Sequence, residues 1–293
     1  MSRIAYVNGQ YVPHREAAVH IEDRGYQFAD GVYEVFSIHQ GQLIGEKGHL
    51  DRLGHSLQEL RIKWPVSRQV LGIICREVAR RNRVKNGIIY LQITRGVARR
   101  DHFFPEAAES ALVLTACQGT PLDKESLLKG INVITLPDIR WKRHDIKSIS
   151  LLPNVLGKQQ ARESGAYEAW LVNQDGLVTE GTSSNAWIVT KDGHLVTHNA
   201  SHAILNGITR LSVLEAANEA GIKFIERPFS VDEALLSREA FMTSSSSHVM
   251  AVTNLNGNII GNGLAGKLTI RLLDIYVRFI EGVGGPQKTD TWN

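Results

Sequence analysis

The chain has few cysteines, little net charge and no long apolar run. Its two cysteines, Cys75 and Cys117, show no metal-type spacing, so we expect reduced thiols in a cytoplasmic protein. No stretch approaches the length that spans a bilayer, and residues 1–6 lack the apolar core of a signal peptide. These absences argue against a disulfide-stabilised secreted protein and predict no membrane partner.

The composition is that of a globular protein. Of the 293 residues, 43% are hydrophobic and 22% are charged, which is enough for one large or two medium domains with proper cores. The net charge of +3 comes from basic residues that are dispersed along the chain. Such a small excess fits anionic small molecules and gives little support to a nucleic-acid partner.

The first part of the chain predicts both strands and helices. The turn dipeptide Asn8-Gly9 predicts a hairpin, and alternation predicts a strand through Val35 and Ile38. Helical spacing of leucines predicts a helix; they are Leu50, Leu53, Leu57 and Leu60. A second helix is expected at about 68–83 and strands at 87–96 and 111–117, with Cys75 packed as a small apolar residue. Residues 118–123 have the composition of a linker, so we place a domain boundary near residue 120.

The rest of the chain predicts the same mixture. Helices are expected at about 154–164, 208–220, 231–236 and 267–282, and strands at 167–172, 177–180, 185–189, 194–197, 224–225, 240–243, 249–255 and 258–260. The sequence therefore predicts an α/β (α+β) protein. Its expected parts are a small N-terminal domain over 1–120, a larger domain over 121–283 and a polar tail over 284–293.

Lys147 stands in apolar company, between Ile146 and Ile149. A lysine is costly to desolvate, and partial burial together with the nearby cations Lys142 and Arg143 would lower its pKa and give a nucleophilic amine. Such an amine forms Schiff bases with carbonyl compounds, including pyridoxal phosphate. Taken alone, the segment favours a lysine whose stem lies along apolar surface.

Four other segments have polar groups suited to anions or to a pyridine ring. A helix start at Gly207-Ile208-Thr209-Arg210 offers free N–H groups to a phosphate, and the hydroxyl run 243–247 offers a second contact in a turn between buried strands. Glu180, at a strand end, suits a pyridine nitrogen. Arg99, Arg100 and His102 share a loop and suit a carboxylate. Each segment alone has an ordinary structural explanation.

Two further motif matches are set aside. Residues 261–266 fit the dinucleotide fingerprint, but the chain ends after the next helix, so no βαβ unit follows. His194, His198 and His202 have helical metal-ligand spacing, but strand and turn sequence surrounds them. We therefore predict no metal site.

Taken in order, the motifs resemble the fold-type IV, pyridoxal-phosphate-dependent aminotransferases, most closely the D-amino-acid aminotransferases. The similar segments are Glu22–Phe28, Asp30–Val35, Asp138–Trp141, Asp145–Ser148, Thr179–Gly181 and Gly207–Arg210. The similarity runs from the first hairpin to about residue 280. It implies two α/β domains with the cofactor pyridoxal 5'-phosphate between them, and a homodimer.

The resemblance also implies roles for single residues. Lys147 would hold the cofactor as a Schiff base and carry the substrate proton, and Glu180 would pair with the pyridine nitrogen. The cofactor phosphate would be held by Arg52, Ile208, Thr209, Ser244 and Ser245, and its ring would pack on Leu205. The substrate carboxylate would bind to Tyr33, Arg100 and His102. The rest of the substrate cavity would be lined by Tyr90, Ser183 and Ser184. Arg100 and His102 would reach a partner subunit's site.

The implied reaction moves the amino group of a D-amino acid such as D-alanine to a 2-oxo acid such as 2-oxoglutarate, with ping-pong kinetics. The alternatives are a branched-chain L-amino-acid or (R)-amine transaminase, an aminodeoxychorismate lyase, and a catalytically silent homologue that is either cofactor-binding or structural. The Arg100–His102 pair favours the D-specific enzyme. Three departures concern substrate range: His248 replaces an acid after the hydroxyl run, Arg99 adds a cation, and Phe103 is bulkier than the family pattern.

Overall fold

The computed structural model describes residues 3–282, so the predicted tail at 284–293 lies outside the described residues. The described chain divides into two compact units. Unit 1 comprises the residues up to Pro121 together with Ile146–Ser150, and unit 2 comprises Leu122–Asp145 and the residues from Leu151 onward. The predicted domain boundaries at 120 and 283 stay a prediction.

Unit 1 contains, within its described residues, one antiparallel sheet of six strands and three α-helices. The strands are β1 (Ile4–Val7), β2 (Gln10–Pro13), β3 (Gly31–His39), β4 (Gln42–Leu43), β5 (Gly87–Thr94) and β6 (Ala111–Gln118), and the helices are α1 (Arg24–Phe28), α2 (Glu46–Glu59) and α3 (Arg68–Arg81). The strand order is β2-β1-β6-β5-β3-β4. The predicted hairpin at Asn8-Gly9 is confirmed, since Val7 pairs with Gln10.

The core of unit 1 lies between this sheet and the apolar faces of α2 and α3. Leu50, Leu53 and Leu57 of α2 are at most 1% exposed, which confirms the helix predicted from their spacing. Cys75 of α3 packs in the same core, and burial raises the pKa of its thiol to about 12. It therefore behaves as the small apolar residue that we predicted.

The Lys147 segment is attached to β3 by backbone contacts. The Tyr33 N–H donates to the Lys147 carbonyl at 3.0 Å, and the Ile149 N–H donates to the Gly31 carbonyl at 3.1 Å. A Cβ on Gly31 would lie 2.7 Å from the Ile93 carbonyl oxygen, so only glycine allows this close approach. The strand β3 thus fixes the backbone position of the lysine.

Unit 2 is built on one larger sheet of ten strands within its described residues. Its strands are β7 (Ile131–Pro137), β8 (Glu168–Val172), β9 (Leu177–Gly181), β10 (Asn185–Val189), β11 (Leu195–Thr197), β12 (Phe224–Glu226), β13 (Phe229–Ser230), β14 (Glu239–Ser244), β15 (His248–Leu255) and β16 (Asn258–Ile259), and its helices are α4 (Lys124–Leu128), α5 (Leu152–Glu163), α6 (Ile208–Glu219), α7 (Val231–Leu235) and α8 (Lys267–Ile280). The order is β12-β11-β10-β14-β15-β7-β8-β9-β13, with β16 beside β15. The pair β11–β12 and the pairs that β7 makes with β8 and β15 are parallel.

Most predicted elements are confirmed, with ends shifted by a few residues. The sequence analysis missed α1, α4, β4, β13 and β7. The last of these is a central strand of the sheet, between β15 and β8, and its partners start more than thirty residues further along the chain. Local pattern alone does not report such non-local pairing.

Candidate active site

Lys147 lies beside two tyrosines of the sheet in unit 1. Its Nζ is 4.1 Å from the centroid of the Tyr33 ring, and that ring stacks on Tyr90 with centroids 5.8 Å apart. Burial, and then the neighbouring Tyr33, raise the pKa of Tyr90 to about 12, so its hydroxyl keeps its proton and donates to Gln92 Oε1 at 2.7 Å. The structure thus brings together three residues that the sequence assigned to one site.

A buried carboxylate holds Arg52 in place. Glu34 of β3 is fully buried and accepts from Arg52 Nε and Nη2, both at 2.8 Å, and from His49 Nδ1 at 2.7 Å. Burial acts to raise the pKa of Glu34, but Arg52 and His49 outweigh it and hold that pKa well below its usual range. Burial lowers the pKa of His49 against the effect of Glu34, so its ring is neutral and donates through Nδ1.

The sequence analysis assigned Arg52 to a phosphate and missed Glu34, which binds its guanidinium, and His49, which binds the same carboxylate. Glu34 belongs to a segment that was read as a strand, and His49 precedes Arg52 by nearly one helical turn. That spacing was the available signal. The pair restricts the guanidinium to one orientation, which suits recognition of an anion.

Arg100 and His102 meet the same aromatic ring in unit 1. The Arg100 guanidinium lies 4.6 Å from the centroid of Phe28, and the His102 ring lies 5.5 Å from it. The two residues assigned to the substrate carboxylate are therefore neighbours, although their side chains are exposed.

Glu180 of β9 is a buried carboxylate of unit 2. One of its oxygens accepts from Arg140 Nη1, and the other accepts from Asn185 Nδ2 at 3.1 Å and from the Leu205 N–H at 3.0 Å. Burial raises the pKa of Glu180, and Arg140 acts against that rise. Asp138 holds Arg140 through two hydrogen bonds of 2.9 and 2.8 Å. Leu205, assigned to ring packing, is thus fixed beside the carboxylate assigned to the ring nitrogen.

The start of α6 has the features of an anion site. Its N-cap, Gly207, makes no side-chain cap, so the N–H groups of the first turn lack partners within the helix. A Cβ on Gly207 would lie 2.2 Å from Asn185 Oδ1, so a glycine is needed there. Ile208 and Thr209 open the helix as predicted, and Thr209 is buried.

The hydroxyl run forms the turn between β14 and β15, as predicted. The Ser247 N–H donates to Ser244 Oγ at 3.0 Å, and the Ser244 and Ser246 hydroxyls are 3.4 Å apart. Ser244 therefore helps to build the turn that presents Ser245.

A second buried carboxylate of unit 2, Glu168, was missed by the sequence analysis. Ser183 and Ser184 donate to its Oε2 at 3.0 and 3.1 Å, Thr182 donates to Oε1, and Lys158 lies 3.4 Å away. The available signal was a single acid within the apolar run of β8. Because their protons point at Glu168, the serines present lone pairs elsewhere.

Arg143, one of the cations expected near Lys147, forms an ion pair with an acid. Arg143 donates from Nε and Nη2 to Asp145, both at 2.9 Å, so an acid within unit 2 balances its charge. The sequence analysis counted the cation and overlooked the acid two residues later.

Residues 261–266, which match the dinucleotide fingerprint, precede α8, and N–H groups at the start of that helix already have a hydrogen-bond partner. Glu239 accepts from the Leu268 and Thr269 N–H groups at 3.1 and 2.8 Å.

Within residues 3–282, no three or more His, Cys, Asp or Glu side chains are grouped to hold a metal. None of the helices described there has the length and apolarity to cross a bilayer.

Comparison with known proteins identifies relatives along nearly the whole chain. The family described as Amino-transferase class IV matches residues 31–255. A D-alanine aminotransferase of Bacillus licheniformis is 42% identical over 89% of this chain and 92% of its own. One of Staphylococcus aureus strain MSSA476 is 38% identical over 94% and 97%.

Solved structures show the same fold. The T.th. branched-chain amino acid aminotransferase with pyridoxamine 5'-phosphate has a TM-score of 0.89 at 25% identity, covering 98% of this chain and 96% of that chain. The Escherichia coli branched-chain enzyme has a TM-score of 0.86 at 24% identity, covering 100% and 98%. The predicted mixed α/β fold of fold-type IV is confirmed, and this chain belongs to the class IV aminotransferase family.

Proposed function

We propose that this protein is a pyridoxal 5'-phosphate-dependent D-amino-acid transaminase that moves the amino group of a substrate such as D-alanine to a 2-oxo acid such as 2-oxoglutarate. The observation that carries the proposal is the 42% identity to a D-alanine aminotransferase over 89% of the chain. The charged groups described above support it residue by residue.

The residues present fit the cofactor. A phosphate needs N–H donors and a cation, and each unit offers one of them: unit 2 has the uncapped start of α6, and unit 1 has the oriented Arg52. A protonated pyridine nitrogen needs a buried carboxylate, and Glu180 is 5% exposed. A structural relative contains pyridoxamine 5'-phosphate. When bound, pyridoxal phosphate supplies an aldehyde that Lys147 can hold as a Schiff base and a ring that withdraws electrons from the substrate Cα.

The roles of the chain's own groups follow from their chemistry. Lys147, when its amine is free, would take the proton from the substrate Cα and return it, as a group held close to the reacting atom. Glu180 keeps the ring nitrogen protonated, and Leu205 packs on the ring. The phosphate is assigned to Arg52, Ile208, Thr209, Ser244 and Ser245.

The substrate is assigned to a second set of groups. Arg100, His102 and Tyr33 bind its carboxylate, which a guanidinium accepts through two parallel hydrogen bonds. Tyr90, Ser183 and Ser184 line the cavity for the remainder of the substrate. Since both serines donate to Glu168, they offer acceptors rather than donors to what they face.

A branched-chain L-amino-acid transaminase is the second candidate, favoured by the structural relative named a branched-chain amino acid aminotransferase. This relative shares 25% identity with the chain, against 42% for the D-alanine enzyme. The higher identity supports the D-specific reaction.

The test is the visible spectrum of the purified, cofactor-loaded protein before and after D-alanine is added without an oxo acid. We expect the band of lysine-bound cofactor to give way to that of pyridoxamine phosphate, with no change on adding L-leucine. Conversion by L-leucine alone would transfer the proposal to the branched-chain enzyme. Pyruvate release from aminodeoxychorismate without amino transfer would identify a lyase, and a protein that gains no colour with cofactor would be a silent homologue.

We also propose a homodimer and a cytoplasmic location. Phe103 and Phe104, 82% and 49% exposed in the loop that carries Arg100, support a partner contact. The unpaired thiols of Cys75 and Cys117 fit a reducing compartment. Light scattering during gel filtration tests the first point, because a monomeric mass would contradict it.

A further inference from the structure

The loop that carries Arg100 and His102 rests on one aromatic side chain, that of Phe28. The Arg100 guanidinium and the His102 ring lie 4.6 and 5.5 Å from the centroid of this ring. A third group, the guanidinium of Arg24, lies 4.8 Å from it. One phenylalanine therefore contacts both residues assigned to the substrate carboxylate and the arginine that precedes it in α1.

Arg24 fastens the backbone of the same loop. Its Nη1 donates at 2.6 Å to the carbonyl of Asp101, the residue between Arg100 and His102. Its Nε donates to Asp30 at 2.8 Å, and its side chain is almost fully buried. Asp30 also accepts from Arg95 at 2.7 Å, so the anchor belongs to a buried ionic cluster.

The short helix that presents Phe28 is itself fixed to the sheet. Asp23 caps α1 by accepting from the Gly25 N–H at 2.8 Å, and the Thr94 hydroxyl donates to the same carboxylate. A Cβ on Gly25 would lie 2.3 Å from Thr94 Cγ2, so the helix lies against the end of β5 as closely as glycine permits. The ring is therefore held by a rigid support.

This arrangement answers a physical difficulty of the proposed site. An arginine and a histidine on an exposed loop sample many rotamers and repel each other when both are charged. The electron-rich face of a phenylalanine attracts cations and stacks with rings. A ring shared by both side chains restricts them to one region before the substrate arrives.

We propose that Phe28 is a positioning residue that keeps Arg100 and His102 side by side for the substrate α-carboxylate, with Arg24 holding the loop backbone between them. This inference rests on the proposed function, because it requires the two residues to bind that carboxylate. It adds a determinant of amino-acid affinity outside the residues that touch the substrate.

The experiment compares steady-state kinetics of the cofactor-loaded variants Phe28→Leu and Phe28→Tyr with the unchanged protein. Phe28→Leu keeps an apolar side chain and removes the ring, so we expect the KM for D-alanine to rise about tenfold while kcat stays within twofold. Phe28→Tyr keeps the ring and should restore the KM. The control is Tyr26→Leu, which removes the ring of a residue in the same helix that is itself 74% exposed. This variant should change neither KM nor kcat.

A double-variant cycle separates positioning from general damage. If Phe28 acts through Arg100, Phe28→Leu adds little to the KM of Arg100→Ala, whereas independent effects would multiply. Should Phe28→Leu not fold, Phe28→Met provides an apolar side chain without a ring for the same comparison.

Three results would overturn the inference: an unchanged KM in Phe28→Leu, a loss confined to kcat or to bound cofactor, or a multiplied effect in the double variant. Failure of the proposed function is separate, since the unchanged protein would then show no D-alanine half-reaction at all.

Discussion

The two units each bury a glutamate against an arginine, and the surroundings shift the two pKa values in opposite directions. In unit 1, Glu34 receives both hydrogen bonds of Arg52 and a third from His49, and its pKa falls well below the ordinary value. In unit 2, Glu180 receives one hydrogen bond from Arg140, and burial raises its pKa. The neighbours of Glu34 more than offset the cost of burying its charge, whereas those of Glu180 offset that cost only in part.

The difference lies in how the arginine is shared. Arg52 gives its bidentate contact to Glu34, whereas Arg140 gives its bidentate contact to Asp138 and only Nη1 to Glu180. Burial acts to raise the pKa of Asp138 as well, but Arg140 outweighs it and that pKa is lowered. When one arginine is shared between two acids, it offsets less of the cost of burying the charge of the second acid. We therefore interpret Glu34 as a support for Arg52 and Glu180 as a group that takes part in chemistry.

The largest effect is expected from Glu180→Ala. Without the carboxylate the ring nitrogen would no longer be kept protonated and the ring would withdraw fewer electrons from the substrate Cα, so kcat for D-alanine should fall roughly 10³-fold, or about 4 kcal/mol in barrier height. The measurement is the steady-state rate at saturating cofactor. Glu106→Ala removes an exposed acid from a loop and is the matched control. A fall of less than tenfold would contradict a role for Glu180 in chemistry.

Glu34→Gln should act on stability instead. The amide keeps the shape of the side chain but leaves Arg52 buried without its charge partner, which costs about 3 kcal/mol in the free energy of unfolding. Urea denaturation of the cofactor-free protein measures this. The control is Glu163→Gln in α5, an exposed residue, for which a change within about 0.5 kcal/mol is expected. A loss below about 1 kcal/mol for Glu34→Gln would mean that the ion pair does not stabilise unit 1.

The contrast between these acids shows what sequence can and cannot predict. Spacing and alternation predicted α2 and β3, because which face is buried depends on local period. The contact of Glu34 with Arg52 depends on how α2 packs on β3, which no local pattern specifies. Glu168 was missed for a related reason: β8 is buried along its length, so alternation does not distinguish its faces.

Candidate residues were found more readily than their partners. Lys147, Glu180 and the start of α6 belong to short motifs in which residue type and spacing carry the chemistry. Asp138, through Arg140, and Asn185 hold Glu180, and Phe28 contacts Arg100 and His102, in each case across a gap in sequence that folding closes. Their roles depend on contacts that exist only in the folded chain.

The pH dependence of stability should have opposite signs for the two acids. The folded pKa of Glu34 lies below the unfolded value of about 4.3, so its contribution is fully present above that value and is lost progressively as the pH falls from there to the folded pKa. The folded pKa of Glu180 lies above the unfolded value, so its ionisation costs stability at neutral pH, and the cost disappears on acidification. One unit of pKa difference is worth about 1.4 kcal/mol.

The measurement is urea denaturation of the unchanged protein, Glu34→Gln and Glu180→Gln between pH 7 and pH 4. Acidification should reduce the amount by which the free energy of unfolding of the unchanged protein exceeds that of Glu34→Gln. It should raise the free energy of unfolding of the unchanged protein relative to that of Glu180→Gln. If both differences move in the same direction, the two carboxylates do not differ in the way that their surroundings indicate.

The smallest effect is expected from Thr179→Val, which tests why Arg140 is shared. The Thr179 hydroxyl donates to Asp138 Oδ2 at 2.8 Å, on the oxygen that also accepts from Arg140. Its loss should lower the free energy of unfolding by about 1 kcal/mol, the ordinary contribution of one hydrogen bond, and leave kcat within tenfold. Thr120→Val, at an exposed position, is the control for the same denaturation measurement. A change near zero would mean that Arg140 alone fixes Asp138, in which case the hydroxyl has no part in drawing Arg140 away from Glu180.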